Sequence, residues 1–143
     1  MNKLCFLAMV ILSCCTISHN GNSEPVRVNK HTIYYGILPC ADCTGIETTL
    51  DLNSGDTTEM SYTLTRTYLG KNSDSIFIIK GTYHVERGLG NDMDATVFIL
   101  NSDKKKEDQK FFVQYSSDTT RIYLLDQDTL PIISNLDYSM QKK

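Results

Sequence analysis

A strict alternation of apolar and polar side chains is the sequence feature that most constrains the fold of this chain. It is clearest in residues 60–68, where serine and threonine positions separate the members of one face: Met60, Tyr62, Leu64, Arg66 and Tyr68. Successive side chains of a strand point to opposite faces of its sheet, so this period of two predicts a half-buried β-strand rather than an amphipathic helix.

Seven further segments are predicted to be short strands, some from the same alternation and others, such as residues 95–100, as short apolar runs. Their predicted ranges are 31–38, 46–52, 76–85, 95–100, 110–115, 121–125 and 136–141. Turn signals separate these segments, and none has the period of an amphipathic helix, which favours an all-β antiparallel meander. Closure into an eight-stranded barrel removes the exposed sheet edges, so we expect a barrel, with a two-sheet sandwich as the alternative.

Three local predictions follow from the same pattern. In the first strand, alternation favours one face as the apolar one, formed by Ile33, Tyr35 and Ile37. Arg66 interrupts the apolar face of its strand, and a β-bulge that shifts the register is preferred as the explanation over a buried polar contact. Segment 87–94 contains Gly88 and Gly90 and is predicted to be a turn. It lacks the third glycine and the following helix of a dinucleotide-binding fingerprint.

The N-terminus has the features of an export signal. Lys3 precedes an apolar run, residues 4–12, that is shorter than the ~20 residues of a membrane-spanning helix. The segment Ile11-Leu12-Ser13-Cys14 resembles the lipobox of bacterial lipoproteins, in which the cysteine is lipidated after cleavage; an ordinary secretory signal is the alternative. We therefore predict a signal peptide at 1–13, a flexible tether anchored through Cys14 at 14–30, and one domain at 31–143.

The charge of the chain argues against nucleic acid as a partner. The formal net charge is -3, and cleavage before Cys14 would remove Lys3 and no acidic residue, giving -4. The one dense cationic run, residues 104–106, is bracketed by Asp103, Glu107 and Asp108. A nucleic-acid binder would display a clustered basic face instead.

The cysteines direct attention to a single loop. Of the five, Cys5 falls in the signal and Cys14 is assigned to lipid, which leaves Cys15 in the tether and the close pair Cys40 and Cys43. Two thiols three residues apart can bind one soft metal ion, and two donors suit a linear Cu(I) site. A zinc site would need two more ligands, and nothing in the sequence places them near the loop. His31 and His84 are the histidine candidates for zinc, and Met60, Met93 and Met140 are soft donors, although methionine more often fills a core or a surface.

A Cys40–Cys43 disulfide competes with metal binding, because thiols outside the cytoplasm are usually oxidised. Redox catalysis is disfavoured, since such a pair normally lies at a helix N-terminus and this one lies between two predicted strands. Asp42 and Glu47 fit a turn and a solvated strand face. No catalytic arrangement of serine, histidine and acid or of paired carboxylates is recognisable, so we expect the protein not to be an enzyme.

Two segments carry a resemblance to a known family. Residues 35–50, which include Gly36-Ile37-Leu38-Pro39-Cys40-Ala41-Asp42-Cys43-Thr44-Gly45, resemble the signature of the NlpE family, and residues 123–132 are also similar to it. These are bacterial lipoproteins associated with copper homeostasis and envelope stress. The resemblance implies an N-terminal lipocalin-like barrel, a thiol pair at Cys40 and Cys43, and an outer-membrane location facing the periplasm. The best-known form continues into a second, OB-like domain, and this chain ends after its eighth predicted strand, which puts in doubt signalling that depends on that domain.

Three functions are consistent with these observations. The first is a membrane-anchored, copper-responsive lipoprotein that binds or senses Cu(I) through Cys40 and Cys43. The second is a lipocalin-like carrier of a small apolar ligand. The third is a structural or stress-reporting module that contacts an envelope signalling protein and uses the cysteine pair only as a loop disulfide.

Overall fold

The computed structural model describes residues 30–55, 60–70 and 75–143, and they form an eight-stranded antiparallel β-barrel. The strands are β1 (His31–Leu38), β2 (Gly45–Asn53), β3 (Ser61–Leu69), β4 (Ser75–Leu89), β5 (Asp92–Leu100), β6 (Lys110–Gln114), β7 (Arg121–Leu124) and β8 (Ser139–Lys142). Each strand pairs with the next, and β8 pairs with β1 to close the barrel. The predicted all-β barrel is confirmed, and the sandwich alternative is wrong.

Helical structure is almost absent from the described residues. A single turn of 3₁₀ helix, Lys106–Asp108, lies in the connection between β5 and β6. Within the described ranges no helix has the length and apolar character that would carry it across a bilayer.

The main core fills the inside of the barrel, where each strand contributes alternate side chains. Its fully buried members include Leu50, Leu100, Ile122 and Met140. A second cluster, Ala95, Val97, Ile99, Phe111, Val113 and Leu125, covers the outer face of β5 and β6. Two covered faces explain why residues 95–100 read as a continuous apolar run rather than an alternating one.

The predicted inner face of β1 is wrong. Tyr34 is only 2% exposed and lies in the core, as does Leu38, whereas Ile37 is 54% exposed. Gly36 shares the inner face, and there the chain passes so close to β8 that a Cβ atom at this position would lie 2.6 Å from the carbonyl oxygen of Ser139. Glycine permits this approach. Because the side-chain period is two, an error of one residue exchanges the two faces of the whole strand.

The predicted bulge at Arg66 is also wrong. Residues on both sides of Arg66 pair in unbroken register with β2 and β4, so the arginine keeps its place on the inner face. The register instead shifts between Arg87 and Leu89, where Gly88 has a φ of 89°.

Segment 87–94 is not one turn, since β4 extends to Leu89 and β5 begins at Asp92. The two strands are therefore joined by a short hairpin at Gly90 and Asn91.

The order of the strands sorts the strand ends into two sets. The last residues of β1, β3, β5 and β7 and the first residues of β2, β4, β6 and β8 lie at one end, which we call the Cys-loop end because residues 39–44 join β1 to β2 there. The other strand ends and residue 30 lie at the opposite end. Antiparallel neighbours alternate in direction, so this division follows from the meander itself.

Candidate functional site

The candidate site is the loop of residues 39–44 between β1 and β2, which we call the Cys loop. Pro39 has no N–H to donate to the sheet and directly follows the last residue of β1. The loop is held to the sheet beyond its second cysteine, where the backbone N–H of Thr44 donates to the carbonyl oxygen of Leu69 at 3.1 Å. The Cys loop is thus a short, anchored corner.

A glycine on the neighbouring connection makes room for this corner. Gly70 follows β3 with a φ of 78°, and a Cβ atom there would collide with the side-chain oxygen of Thr44. The positive φ and the close approach both favour glycine. The position of the Cys loop therefore depends on Gly70, which lies 26 residues after Thr44, the last residue of the loop.

The two cysteines are bonded to each other in the structure. Their Sγ atoms form a disulfide, with the Cα atoms 5.3 Å apart. Cys40 Sγ lies 3.5 Å from Oδ1 of Asp42, and Cys43 Sγ lies 3.3 Å from the carbonyl oxygen of Gly45. The pair that the sequence singles out is thus in its oxidised form, and metal binding by these sulfurs requires their reduction.

Asp42 belongs to the same cluster. Its carboxylate and the two sulfur atoms all lie within 4.8 Å of one another, with Asp42 exposed and both cysteines half-buried. Sequence reasoning assigned Asp42 to a turn and did not count it as a donor. Asp42 could have been identified as a donor from its position between the two cysteines, because in so short a loop the three side chains stay close together.

The other soft-donor candidates lie away from the Cys loop. His31 is at the far end of β1, where its Nδ1 lies 3.0 Å from Oδ1 of Asp51, and His84 is exposed on the outer face of β4. Met60 and Met93 belong to the opposite end of the barrel, next to the starts of β3 and β5. Met140 is fully buried in the core.

Glu47 lies on the outer face of β2, as its position in the alternation predicts. The hydroxyl of Tyr35 on the neighbouring strand donates to Glu47 Oε1 at 3.0 Å. This hydrogen bond raises the pKa of Tyr35. The contact joins two neighbouring strands, β1 and β2.

An apolar cavity of about 340 Å³ opens beside the Cys loop. Leu38 and Pro39 form its wall on the loop side. Side chains that point inward from β2, β3, β6 and β7 complete most of it, namely Ile46, Thr48, Leu64, Arg66, Lys110, Phe112 and Leu124. Sequence reasoning raised a small-ligand interior only as a general property of eight-stranded barrels; the structure gives it a position and a lining.

Several predicted features lie outside the described residues. They are the signal peptide at 1–13, the lipidation site Cys14, the tether with Cys15, and the first cysteine, Cys5. They stay predictions.

A family model described as the NlpE N-terminal domain matches residues 34–135, well over half of the chain. The chain belongs to the NlpE family. The family assignment made from residues 35–50 and 123–132 is confirmed. No curated protein and no solved structure matches the chain.

The match to the NlpE domain covers the candidate site in full. It begins inside β1, includes the Cys loop and every strand from β2 to β7, and ends in the connection that precedes β8. NlpE proteins are bacterial envelope lipoproteins. The disulfide-linked loop and the cavity beside it are therefore both parts of the NlpE N-terminal domain.

Proposed function

We propose that this NlpE-family protein is a lipid-anchored lipoprotein that takes part in copper homeostasis or envelope stress sensing through its Cys loop. It acts by binding rather than by catalysis. Its partners in this role are the outer membrane, through a lipid on Cys14, and an envelope signalling protein on the periplasmic side. The observation that carries the proposal is the cluster of two sulfur atoms and one carboxylate within 4.8 Å.

The cluster can pass between two chemical states. A dithiol donor reduces the Cys40–Cys43 disulfide with two electrons and two protons, and is itself oxidised to a disulfide. Cu(I) then displaces the two thiol protons and is held between two thiolates. Thiolates are soft donors that match Cu(I), whereas the harder carboxylate of Asp42 is a poor ligand for it. Exposure of the loop at the rim of the barrel leaves it accessible to both the reductant and the metal.

Cu(I) titration of the reduced protein tests this proposal. The unaltered chain is compared with a Cys40→Ser, Cys43→Ser double variant under a competing Cu(I) chelator. We expect the double variant to lose at least tenfold in affinity. A Cys15→Ser variant serves as the matched control, since it removes a thiol outside the Cys loop and should leave the affinity within about twofold. Equal affinity of the double variant and the unaltered chain would contradict the proposal.

An Asp42→Asn variant separates copper from zinc. A soft two-thiolate Cu(I) site should be nearly unaffected by loss of the carboxylate, while a zinc site that uses this oxygen should weaken clearly. Zinc affinity that exceeds copper affinity and falls in Asp42→Asn would assign the cluster to zinc.

The cavity supports a second candidate function, that of a carrier for a small apolar ligand. Its volume of about 340 Å³ lies within the range of ~300–1,000 Å³ typical of small-molecule sites, and its lining is mainly apolar. A barrel filled completely by side chains would have left no room for a ligand. Calorimetric titration with an uncharged alkyl probe such as dodecanol tests this function independently of the cysteines.

A further inference from the structure

Two cationic side chains line the cavity, and they restrict which classes of ligand it can bind. Arg66 on β3 and Lys110 on β6 both line it, on strands that are not neighbours in the barrel. Neither side chain forms an ion pair or a hydrogen bond with any residue in the described ranges 30–55, 60–70 and 75–143. The Nε atom of Arg66 is completely buried and has no hydrogen-bond partner among those residues.

An unpaired cation in an apolar site is costly. Transfer of a charged group away from water is unfavourable unless an opposite charge or hydrogen-bond acceptors compensate for it. Arg66 therefore has unused donors that face the cavity. A guanidinium group fits a carboxylate through two parallel hydrogen bonds, which adds directionality to the charge attraction.

The one acidic residue that lines the cavity does not supply the missing partner. Asp126 is exposed, and its Oδ1 accepts hydrogen bonds from the backbone N–H groups of Asp128 at 2.9 Å and Leu130 at 2.8 Å. Its carboxylate shapes the turn before β8. Two cations thus remain for a negatively charged group that enters from outside.

The surface next to Arg66 is apolar and exposed. Phe77 pairs directly with Arg66 across β3 and β4, so the two side chains lie on the same face of the sheet. Phe77 is 51% exposed, and its ring packs edge-on against Tyr68. Ile76 and Ile78, which alternate with Phe77 and lie on the outer face of β4, are 65% and 63% exposed. Phe77 therefore gives the inner face beside Arg66 an exposed apolar ring.

We propose that the cavity binds a single-chain amphipathic carboxylate, such as a free fatty acid. The acyl chain lies against Leu38, Ile46, Leu64 and Leu124, and the carboxylate is held by Arg66 with Lys110 as the second cation. This inference rests on the carrier function proposed above and adds the head group that the site selects. It is independent of the metal chemistry of Cys40 and Cys43.

Calorimetric titration of the full chain with head-group analogues tests the inference. The probes are octanoate, dodecanoate and hexadecanoate, with dodecanol and dodecyltrimethylammonium as uncharged and cationic counterparts, all used below their micelle concentrations. We expect dodecanoate to bind at least tenfold more tightly than dodecanol, and dodecyltrimethylammonium to bind most weakly. A charge-assisted hydrogen bond contributes about 1.5–3 kcal/mol, which corresponds to a factor of about 10–100 in affinity.

Variants identify the groups that recognise the head group. Arg66→Gln should weaken dodecanoate binding by about 10- to 100-fold and leave dodecanol binding within about twofold. Lys110→Gln should weaken dodecanoate binding less, since Lys110 is exposed. Arg87→Gln is the matched control, since it removes a cation near the opposite end of the barrel. Arg87 Nη2 lies 3.8 Å from Asp94 Oδ1, and its loss should change the affinity for neither dodecanoate nor dodecanol. If Arg66→Gln fails to fold, Lys110→Gln and the charge-preserving Arg66→Lys provide the comparison.

The outcomes distinguish this inference from the carrier function. Equal binding of dodecanoate and dodecanol, or an unchanged preference in both Arg66→Gln and Lys110→Gln, would overturn the carboxylate assignment while the carrier function stands. Absence of binding by every probe would overturn both. Retention of the dodecanoate preference in the Cys40→Ser, Cys43→Ser variant would show that the cavity acts without the cysteine pair.

Discussion

At the Cys-loop end of the barrel, Arg66 and Lys110 line an apolar cavity of about 340 Å³, whereas at the opposite end aromatic rings meet inside the barrel. There the ring of Phe98 lies 6.3 Å from each of the rings of Tyr34 and Tyr83. The hydroxyl of Tyr34 accepts a hydrogen bond from Gln114 at 3.1 Å. These rings line a second, smaller cavity of about 210 Å³. Among the described residues, the Cys-loop end has two unpaired cations beside the larger cavity, and the opposite end has hydrogen-bonded polar groups and packed rings beside the smaller one.

The connections also differ, although aspartates that accept hydrogen bonds from backbone N–H groups occur at both ends, Asp126 at the Cys-loop end among them. At the opposite end, backbone N–H groups that donate to Asp92 lower the pKa of its carboxyl group. The side-chain hydroxyl of Thr120, followed by its backbone N–H, lowers the pKa of Asp118 in the same way. At the Cys-loop end, the Cys loop is closed by a disulfide and the start of β4 exposes Ile76, Phe77 and Ile78. The difference teaches that one barrel can combine a packed end, which stabilises the fold, with a more open end that holds the Cys loop and a cavity.

The largest expected effect comes from shortening core and cavity residues on the same strand. Leu50→Ala removes a fully buried side chain and should lower the free energy of unfolding by about 3 kcal/mol. Ile46→Ala, four residues away in the cavity wall, should cost only about 1 kcal/mol, because that side chain already borders open space. Urea unfolding of both variants measures the difference, and equal losses would mean that the cavity end is packed as tightly as the core.

Removal of the disulfide should have an intermediate effect. The bond closes a loop of only four residues, and the loop-entropy relation gives about 2 kcal/mol for that length. The Cys40→Ser, Cys43→Ser variant should lose about this amount of stability in urea, and reduction of the unaltered chain should reproduce the loss. A much larger loss would show that the loop contributes to the core as well as to the candidate site.

Tyr34→Phe probes the packed end through its pH dependence. At pH 7 loss of the hydroxyl should cost about 1 kcal/mol, the typical worth of one hydrogen bond. Burial raises the pKa of Tyr34 and of Tyr83, so the stability from their neutral form is fully present below the unfolded pKa of 10.0 and is lost as the pH rises through the folded value. Thermal unfolding between pH 7 and 11 should show the variant losing less than the unaltered chain. Parallel curves would indicate that Tyr34 ionises as freely as in the unfolded chain.

The smallest effect is expected from Asp92→Asn. Hydrogen bonds from the backbone of Ser116 at 2.8 Å and Asp94 at 3.2 Å lower the pKa of Asp92. The stability from its charged form is therefore present above the unfolded pKa of 3.8 and is lost as the pH falls through the lower folded value. Melting temperatures of the variant and the unaltered chain should differ slightly at pH 7 and converge in strong acid. A gap that persists in acid would assign the effect to packing.

Alternation along the chain predicted the number of strands and the barrel, because these depend on local pattern and on the general advantage of closed sheets. It failed for β1, where both faces carry large apolar side chains and the inner face includes Gly36, which packs against β8 about 100 residues later. The bulge at Arg66 failed for a related reason. An arginine at an inward-facing position suggests a shift of register when the sequence alone is considered. The cavity that Arg66 lines is formed in part by β6 and β7, which are distant from it in sequence.

The place of the Cys loop between the first two strands and the closeness of its two cysteines could be predicted, since its residues are contiguous, but the spacing left a disulfide and a metal site as alternatives. Asp42 was undervalued because a single acid in a turn has many ordinary roles. The cavity could not be located from the sequence at all. Arg66 and Lys110 are 44 residues apart, and only closure of the barrel brings them to one cavity.

The seam between β1 and β8 has a kinetic consequence. The ladder joins only two residue pairs, Tyr34 with Lys142 and Tyr35 with Gln141, and the backbone N–H of Lys143 adds one bond to the carbonyl oxygen of Ile33. These contacts span the longest sequence separation in the sheet, so their formation carries the largest loop-closure entropy and is expected last in folding. Pulsed hydrogen exchange during refolding should protect the amides between β2 and β3 before those at the seam. On this expectation, the chain first forms an open, curved sheet during folding, and pairing of β1 with β8 then closes the barrel around the cavity.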